Sequence, residues 1–185
     1  MRHYTKLIFA VAVCFFGLTA TGNSQGWDSS VTVLQSVPNK TVRVDGTLSA
    51  GRKLNSLAWA STSSNACFPA TQNSKFTGNH VFFATSLPPH SIMTVTVTPK
   101  SANGNLSIYG YQIGTNNFTL PEDLQRCVTC EADQKWDYPK RGKSQTSARS
   151  ITFNAIGNSY NIFIGVAGAN GLADGDFTLE IALKQ

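Results

Sequence analysis

Near the end of the chain Phe177, Leu179, Ile181 and Leu183 alternate without a break with Thr178, Glu180 and Ala182. A period of two puts successive side chains on opposite faces of an extended backbone, so this stretch fits a half-buried strand and cannot serve as an amphipathic helix. The same short period governs most of the chain. Ile92, Val95 and Val97 stand among threonines in residues 92–98, and residues 31–37, 41–48, 81–85, 106–112, 150–155 and 160–166 are rich in β-branched or aromatic side chains and bounded by Gly, Asn, Pro or Ser. Tyr160, Ile162, Phe163, Ile164 and Val166 make a nearly continuous apolar run, the mark of a central strand covered on both faces, whereas the threonines of 92–98 belong to a strand with one face in water. Helical stripes are scarce, and Glu122, Glu131 and Glu180 are the only Glu residues, far fewer than a helical domain uses. About eight short strands with turn signals between them predict an all-β fold, an antiparallel β-sandwich of jelly-roll-like type with a long cysteine-containing loop.

Ahead of this pattern, Arg2, His3 and Lys6 precede an apolar run over residues 7–18, followed by small or polar residues over 19–26. That is the layout of a secretory signal peptide. Residues 1–24 are assigned to it, with cleavage between 20 and 26, and residues 25–185 to a single secreted domain large enough for one core. Without Arg2 and Lys6 the formal charge falls from +5 to about +3, a weak basic balance. The one dense basic cluster, Lys140, Arg141 and Lys143, lacks the interleaved aromatics of a single-strand-binding surface, so no nucleic-acid partner is expected. No later segment approaches the ~20 apolar residues of a membrane span, so the mature chain is expected outside the cytoplasm, extracellular, periplasmic or at the cell surface, without membrane insertion.

Export permits disulfides, and with Cys14 in the leader three cysteines remain: Cys67, Cys127 and Cys130. Cys127 and Cys130 suit a local disulfide, a bridge from either one to Cys67, half of a zinc site, or a redox pair. A structural disulfide is the expected use, since the surrounding stretch is irregular and polar rather than the start of a helix. Two stretches interrupt the strand rhythm, residues 61–78 with Cys67 and residues 121–148 with the cysteine pair, Trp136 and Tyr138; connections of that length tend to carry function or disorder.

The order of motifs resembles the bacterial pre-peptidase C-terminal domain, a β-sandwich module often appended to secreted proteases. Its opening strand is similar to Val44-Asp45-Gly46-Thr47-Leu48, its aromatic-centred strand to His80-Val81-Phe82-Phe83, and its Thr/Val strand to residues 93–98. Asn105-Leu106-Ser107-Ile108-Tyr109 looks like its Leu-Tyr strand, Tyr160-Asn161-Ile162-Phe163-Ile164-Gly165-Val166 like its Tyr-Ile-Val strand, and Gly175-Asp176-Phe177-Thr178-Leu179 like its closing strand. Where that family usually carries acidic residues, this chain has Asn79, His80, Asn105 and Ser107. The resemblance implies a non-catalytic secreted module that binds an extracellular polymer, polysaccharide or protein, or a cell-surface partner. The alternative it leaves is a structural or accessory subunit of an envelope assembly, or a helper of a separately encoded secreted protease.

The residues themselves offer few reactive groups. After the leader only His80 and His90 remain, and no Gly-x-Ser-x-Gly elbow, His-Glu-x-x-His helix or phosphate-cradling loop is present, so no catalytic residue is assigned and no enzyme is expected. Calcium is the one candidate cofactor, with Asn170, Asp174 and Asp176 as ligands, although Asn-Gly and Asp-Gly dipeptides explain the same turn without metal. Candidate binding residues are the aromatics Trp136 and Tyr138 in the long loop and Tyr111, which shares a strand face with Tyr109 and suits stacking on sugar or peptide if that face is exposed; Tyr109 itself fits a packed position.

Overall fold

The computed structural model describes residues 26–57, 70–124, 129–131 and 146–185. The alternation read from the sequence becomes ten strands among these residues: β1 (Val31–Val33), β2 (Lys40–Thr47), β3 (Arg52–Lys53), β4 (Asn79–Leu87), β5 (Ser91–Pro99), β6 (Leu106–Ile113), β7 (Thr129–Glu131), β8 (Arg149–Ala155), β9 (Tyr160–Gly168) and β10 (Asp176–Lys184). They form two sheets. The first runs β1-β4-β9-β6-β7, with β3 also on β4; the second runs β2-β10-β5-β8. All eight expected strands are present within a few residues of their expected limits. β3 and β7 are too short to show a period, and β1 departs from the antiparallel expectation by lying parallel to β4, Thr32 opposite Phe83.

Between the sheets lies the main core. Phe177, Leu179, Ile181 and Leu183 of β10 face Ile162, Ile164 and Val166 of β9, all at most 3 % exposed. Each such side chain contributes roughly 1.5–3 kcal/mol by leaving water. β9 is central and buried on both faces, as its apolar run predicts. The outer face of the second sheet is the polar one: Thr94, Thr96 and Thr98 stand there in a row along β5, and the Thr96 and Ser150 hydroxyls meet across β5 and β8 at 2.8 Å.

The outer face of the first sheet is not in water. Phe82, Tyr109, Tyr111 and Phe163 project from it into a second apolar cluster, closed by Leu54 and Leu124 from irregular segments and by Phe76 at the end of a 3-10 turn over Ala70–Phe76. Glu122 straps this cover, its carboxylate accepting the Asn55 amide at 3.0 Å and lying 3.6 Å from the Arg52 guanidinium. No helix among the described residues is long and apolar enough to cross a membrane.

Candidate functional site

The two sheets part between their edge strands β1 and β2. Thr32 of β1 and Val44 and Gly46 of β2 face each other across this end of the sandwich. The result is an open cleft of about 430 Å3. Val44, Val81 and Phe83 make it apolar, Thr32 and Thr47 flank it, and Asp45, Lys100 and Asp176 bring charge to it. Thr32 is the register partner of Phe83 and therefore points toward the space between the sheets, yet it is exposed; Val44, also inward-facing, is only half-buried.

The charged side of the cleft is held in place. The Thr178 hydroxyl donates to Asp45 Oδ1 at 2.8 Å, and the Lys100 ammonium reaches Asp45 Oδ2 at 2.8 Å. The Lys100 amide donates to the Asp176 carbonyl, also at 2.8 Å, which fixes the lysine beside that aspartate. The Lys100 ammonium, and then the Thr178 hydroxyl, keep the Asp45 carboxyl below the usual carboxylate range, while Asp45 raises Lys100. The cleft thus has an apolar lining with the exposed Asp45–Lys100 ion pair at its rim.

His80 is used structurally. It is 1 % exposed on β4, and its Nε2 lies 2.8 Å from the Phe76 carbonyl. A carbonyl only accepts, so Nε2 carries the proton and Nδ1 accepts from the Tyr109 hydroxyl at 2.9 Å. Burial pushes the imidazole down to about 4, which leaves it neutral at physiological pH with both nitrogens engaged.

The expected binding residues fare differently. Tyr111 shares the outer face of β6 with Tyr109 as the spacing predicts, but both are fully buried, because the second apolar cluster covers that face; an exposed Tyr109–Tyr111 platform is therefore excluded. Trp136, Tyr138, Cys67 and Cys127 lie outside the described residues. Cys130 belongs to β7, where its backbone is opposite Tyr109. Asn170 and Gly171 take positive φ values of 53° and 79°, the Asn170 amide donates to the Ser74 carbonyl, and Asp174 Oδ1 accepts the Gly175 amide at 2.8 Å. Tight-turn geometry accounts for Asn170 and Asp174, and the Asp176 carbonyl accepts the Lys100 amide. Two carboxylates, one beside a lysine, are a poor donor set for an ion that takes six to eight oxygens. Adding millimolar calcium is expected to leave the thermal midpoint unchanged, and a rise would restore the metal.

Strand assignment alone did not reveal the cleft. Its sequence traces are a threonine between two valines at 31–33 and a glycine in the middle of the second strand pattern, and neither is distinctive by itself.

No family model matches the sequence, and no curated protein matches it. Solved structures resemble it at low identity. The periplasmic lysozyme inhibitor PliG of Aeromonas hydrophila aligns over 83% of this chain and 97% of its own, with 9% identity and a TM-score of 0.44. The surface-associated copper-binding protein CorA of Methylomicrobium album BG8 covers 83% and 98% at 13% identity, TM-score 0.45. The pre-peptidase C-terminal domain of Bacillus anthracis collagenase covers 83% and 94% at 13% identity, TM-score 0.39. Values this low assign neither a family nor a function to this chain.

Proposed function

We propose that this chain is a non-catalytic, secreted binding module whose target is a protein surface, and that the target is seated at the cleft between β1 and β2. One observation carries the reading: half-buried Val44 and Val81 line an open concavity with Phe83 at its floor and the Asp45–Lys100 pair beside it, while most other apolar side chains among the described residues are covered. A site with an apolar lining and a few convergent polar groups is the usual form of a recognition pocket, and about 430 Å3 lies within the ordinary range of such pockets. A protein target is favoured over a polysaccharide. The exposed large apolar side chains among the described residues are Val33, Ile92 and Ile156, all aliphatic, and sugars are held by aromatic faces.

The test compares the secreted chain with a Thr32→Arg variant, both immobilised and exposed to culture supernatant from the producing cells. Thr32 is an exposed edge residue, so the arginine fills the cleft without disturbing a core, which an unchanged thermal midpoint verifies. The expected result is a protein retained by the wild type and held about tenfold more weakly by the variant, a difference of ~1.4 kcal/mol. Equal retention removes the cleft as the seat, and a wild type that retains nothing removes the binding reading.

A further inference from the structure

β2 is an edge strand, and its free side can be mapped residue by residue. It pairs with β10 alone, Leu183 opposite Lys40 through Asp176 opposite Thr47. The Leu48 amide donates to the Gly175 carbonyl at 3.0 Å, which extends that register by one residue and sets the phase of the ladder. Bonded and non-bonded positions alternate in an antiparallel pair, so Gly46, Val44 and Val42 exchange bonds with β10, and the N–H and C=O groups of Thr41, Arg43 and Asp45 point away from it. No backbone group among the described residues is bonded to these three outside the ladder. They are exposed, they recur every ~6.8 Å, and the surface that matches donors and acceptors at that repeat is another extended backbone.

We infer that the partner contributes an extended peptide segment that adds to the edge of β2 as a fifth strand of the second sheet and places alternate apolar side chains in the cleft. This rests on the reading of the cleft as a binding seat and specifies its occupant. A strand beside β2 turns every second side chain toward the interior of the sandwich, where Val44 and Val81 are only half-buried at the β1–β2 opening. A second copy of β2 does not meet this need, because its own inward-facing Val44 packs against its own core. The occupant is therefore a segment not already committed to a fold. Charge complements this choice: Lys40 is exposed at one end of β2, while Asp45 and Asp176 outnumber Lys100 at the other, so the segment carries an acid toward the first end and a base toward the second. β2 spans eight residues, about 27 Å of extended chain.

The probe is a fluorescein-labelled nonapeptide of alternating threonine and valine, with a lysine at one end and a glutamate at the other, synthesised in both sequence directions. It is titrated by anisotropy against the full secreted chain and three variants. Arg43→Pro deletes one outward N–H and is tolerated on an edge whose amide faces water; Arg43→Ala removes the same side chain and keeps the amide. The expected result is saturable binding of one peptide direction, weakened about tenfold by Arg43→Pro and by Thr32→Arg and less than about threefold by Arg43→Ala. Equal loss in Arg43→Ala and Arg43→Pro, or no loss in Arg43→Pro, overturns strand addition. If Thr32→Arg still loses affinity in that case, the cleft remains the seat and only the strand geometry is wrong; if neither variant loses affinity, the cleft reading falls with it. No saturable binding of either peptide overturns the inference, leaving the cleft to the supernatant comparison. A wild-type dimer dissociated by Arg43→Pro assigns the edge to a second copy and also overturns it.

Discussion

Acidification from about pH 7.5 to about pH 4 is expected to lower the stability of the fold by about 3 kcal/mol through His80 alone. The imidazole is buried between β4, Tyr109 of β6 and the turn ending at Phe76, and burial holds it near 4, against about 6.5 in an unfolded chain. Between those values the unfolded state binds a proton that the folded state refuses. The stability is therefore fully present above pH 6.5 and is lost as pH falls toward 4. Of the charged groups nearby, the Arg52 guanidinium disfavours protonation and the Glu122 carboxylate favours it, both less than burial does. Protonation would also turn Nδ1 from acceptor to donor against the Tyr109 hydroxyl, leaving that buried contact without its present geometry. For a domain of this size, 3 kcal/mol corresponds to a fall in thermal midpoint of roughly 6–12 °C. Melting curves of the wild type and a His80→Gln variant across this range isolate the effect, because the exposed carboxylates titrate in both while glutamine does not. The expected result is a steeper acid loss in the wild type; parallel curves would show that His80 does not control the slope.

His80 also marks the boundary of what could be read from the sequence. The strands were legible because period two is a local property: β10 declares itself in Phe177, Leu179, Ile181 and Leu183, and β9 in its unbroken apolar run. The cover over the first sheet was not. It is assembled from Leu54, Phe76, Leu124 and half-buried Trp27 and Leu120, single residues on irregular segments and a 3-10 turn that share no period and meet only in three dimensions. Without that cover, Tyr111 reads as an exposed aromatic beside Tyr109; with it, both faces of β6 are interior. The cleft was hidden for a related reason. The alternation of Val31, Thr32 and Val33 does not say which face is inward, and it is the parallel pairing with β4 that sends Val31 to the outer cluster and turns Thr32 toward the gap between the sheets. The other wall is set by Gly46 against Phe177, residues far apart in sequence, so the opening exists only once β2 and β10 have paired.

That pairing makes the second large effect. Phe177→Ala is expected to lower stability by about 3–5 kcal/mol, the range for removing a fully buried phenylalanine whose surroundings relax only in part. The ring stands edge-on to Phe83, with centroids 6.2 Å apart, and lies across its register partner Gly46, where an added Cβ would come within 2.6 Å of its Cζ atom. Glycine in a strand is normally a weakness, and here the aromatic neighbour covers the backbone it exposes. Gly46→Ala alone should therefore displace the ring and lower stability by about 1–3 kcal/mol, despite the better strand preference of alanine. In the Phe177→Ala background the sign reverses: the ring is absent, the new methyl occupies part of the cavity, and the gain from replacing a flexible glycine is realised. Urea melts of the two single variants and the double variant measure this directly, and the double is expected to be at least as stable as Phe177→Ala. Simple addition of the two losses would mean that ring and glycine do not share one space, and that something other than Phe177 keeps residue 46 free of a side chain at the wall of the cleft.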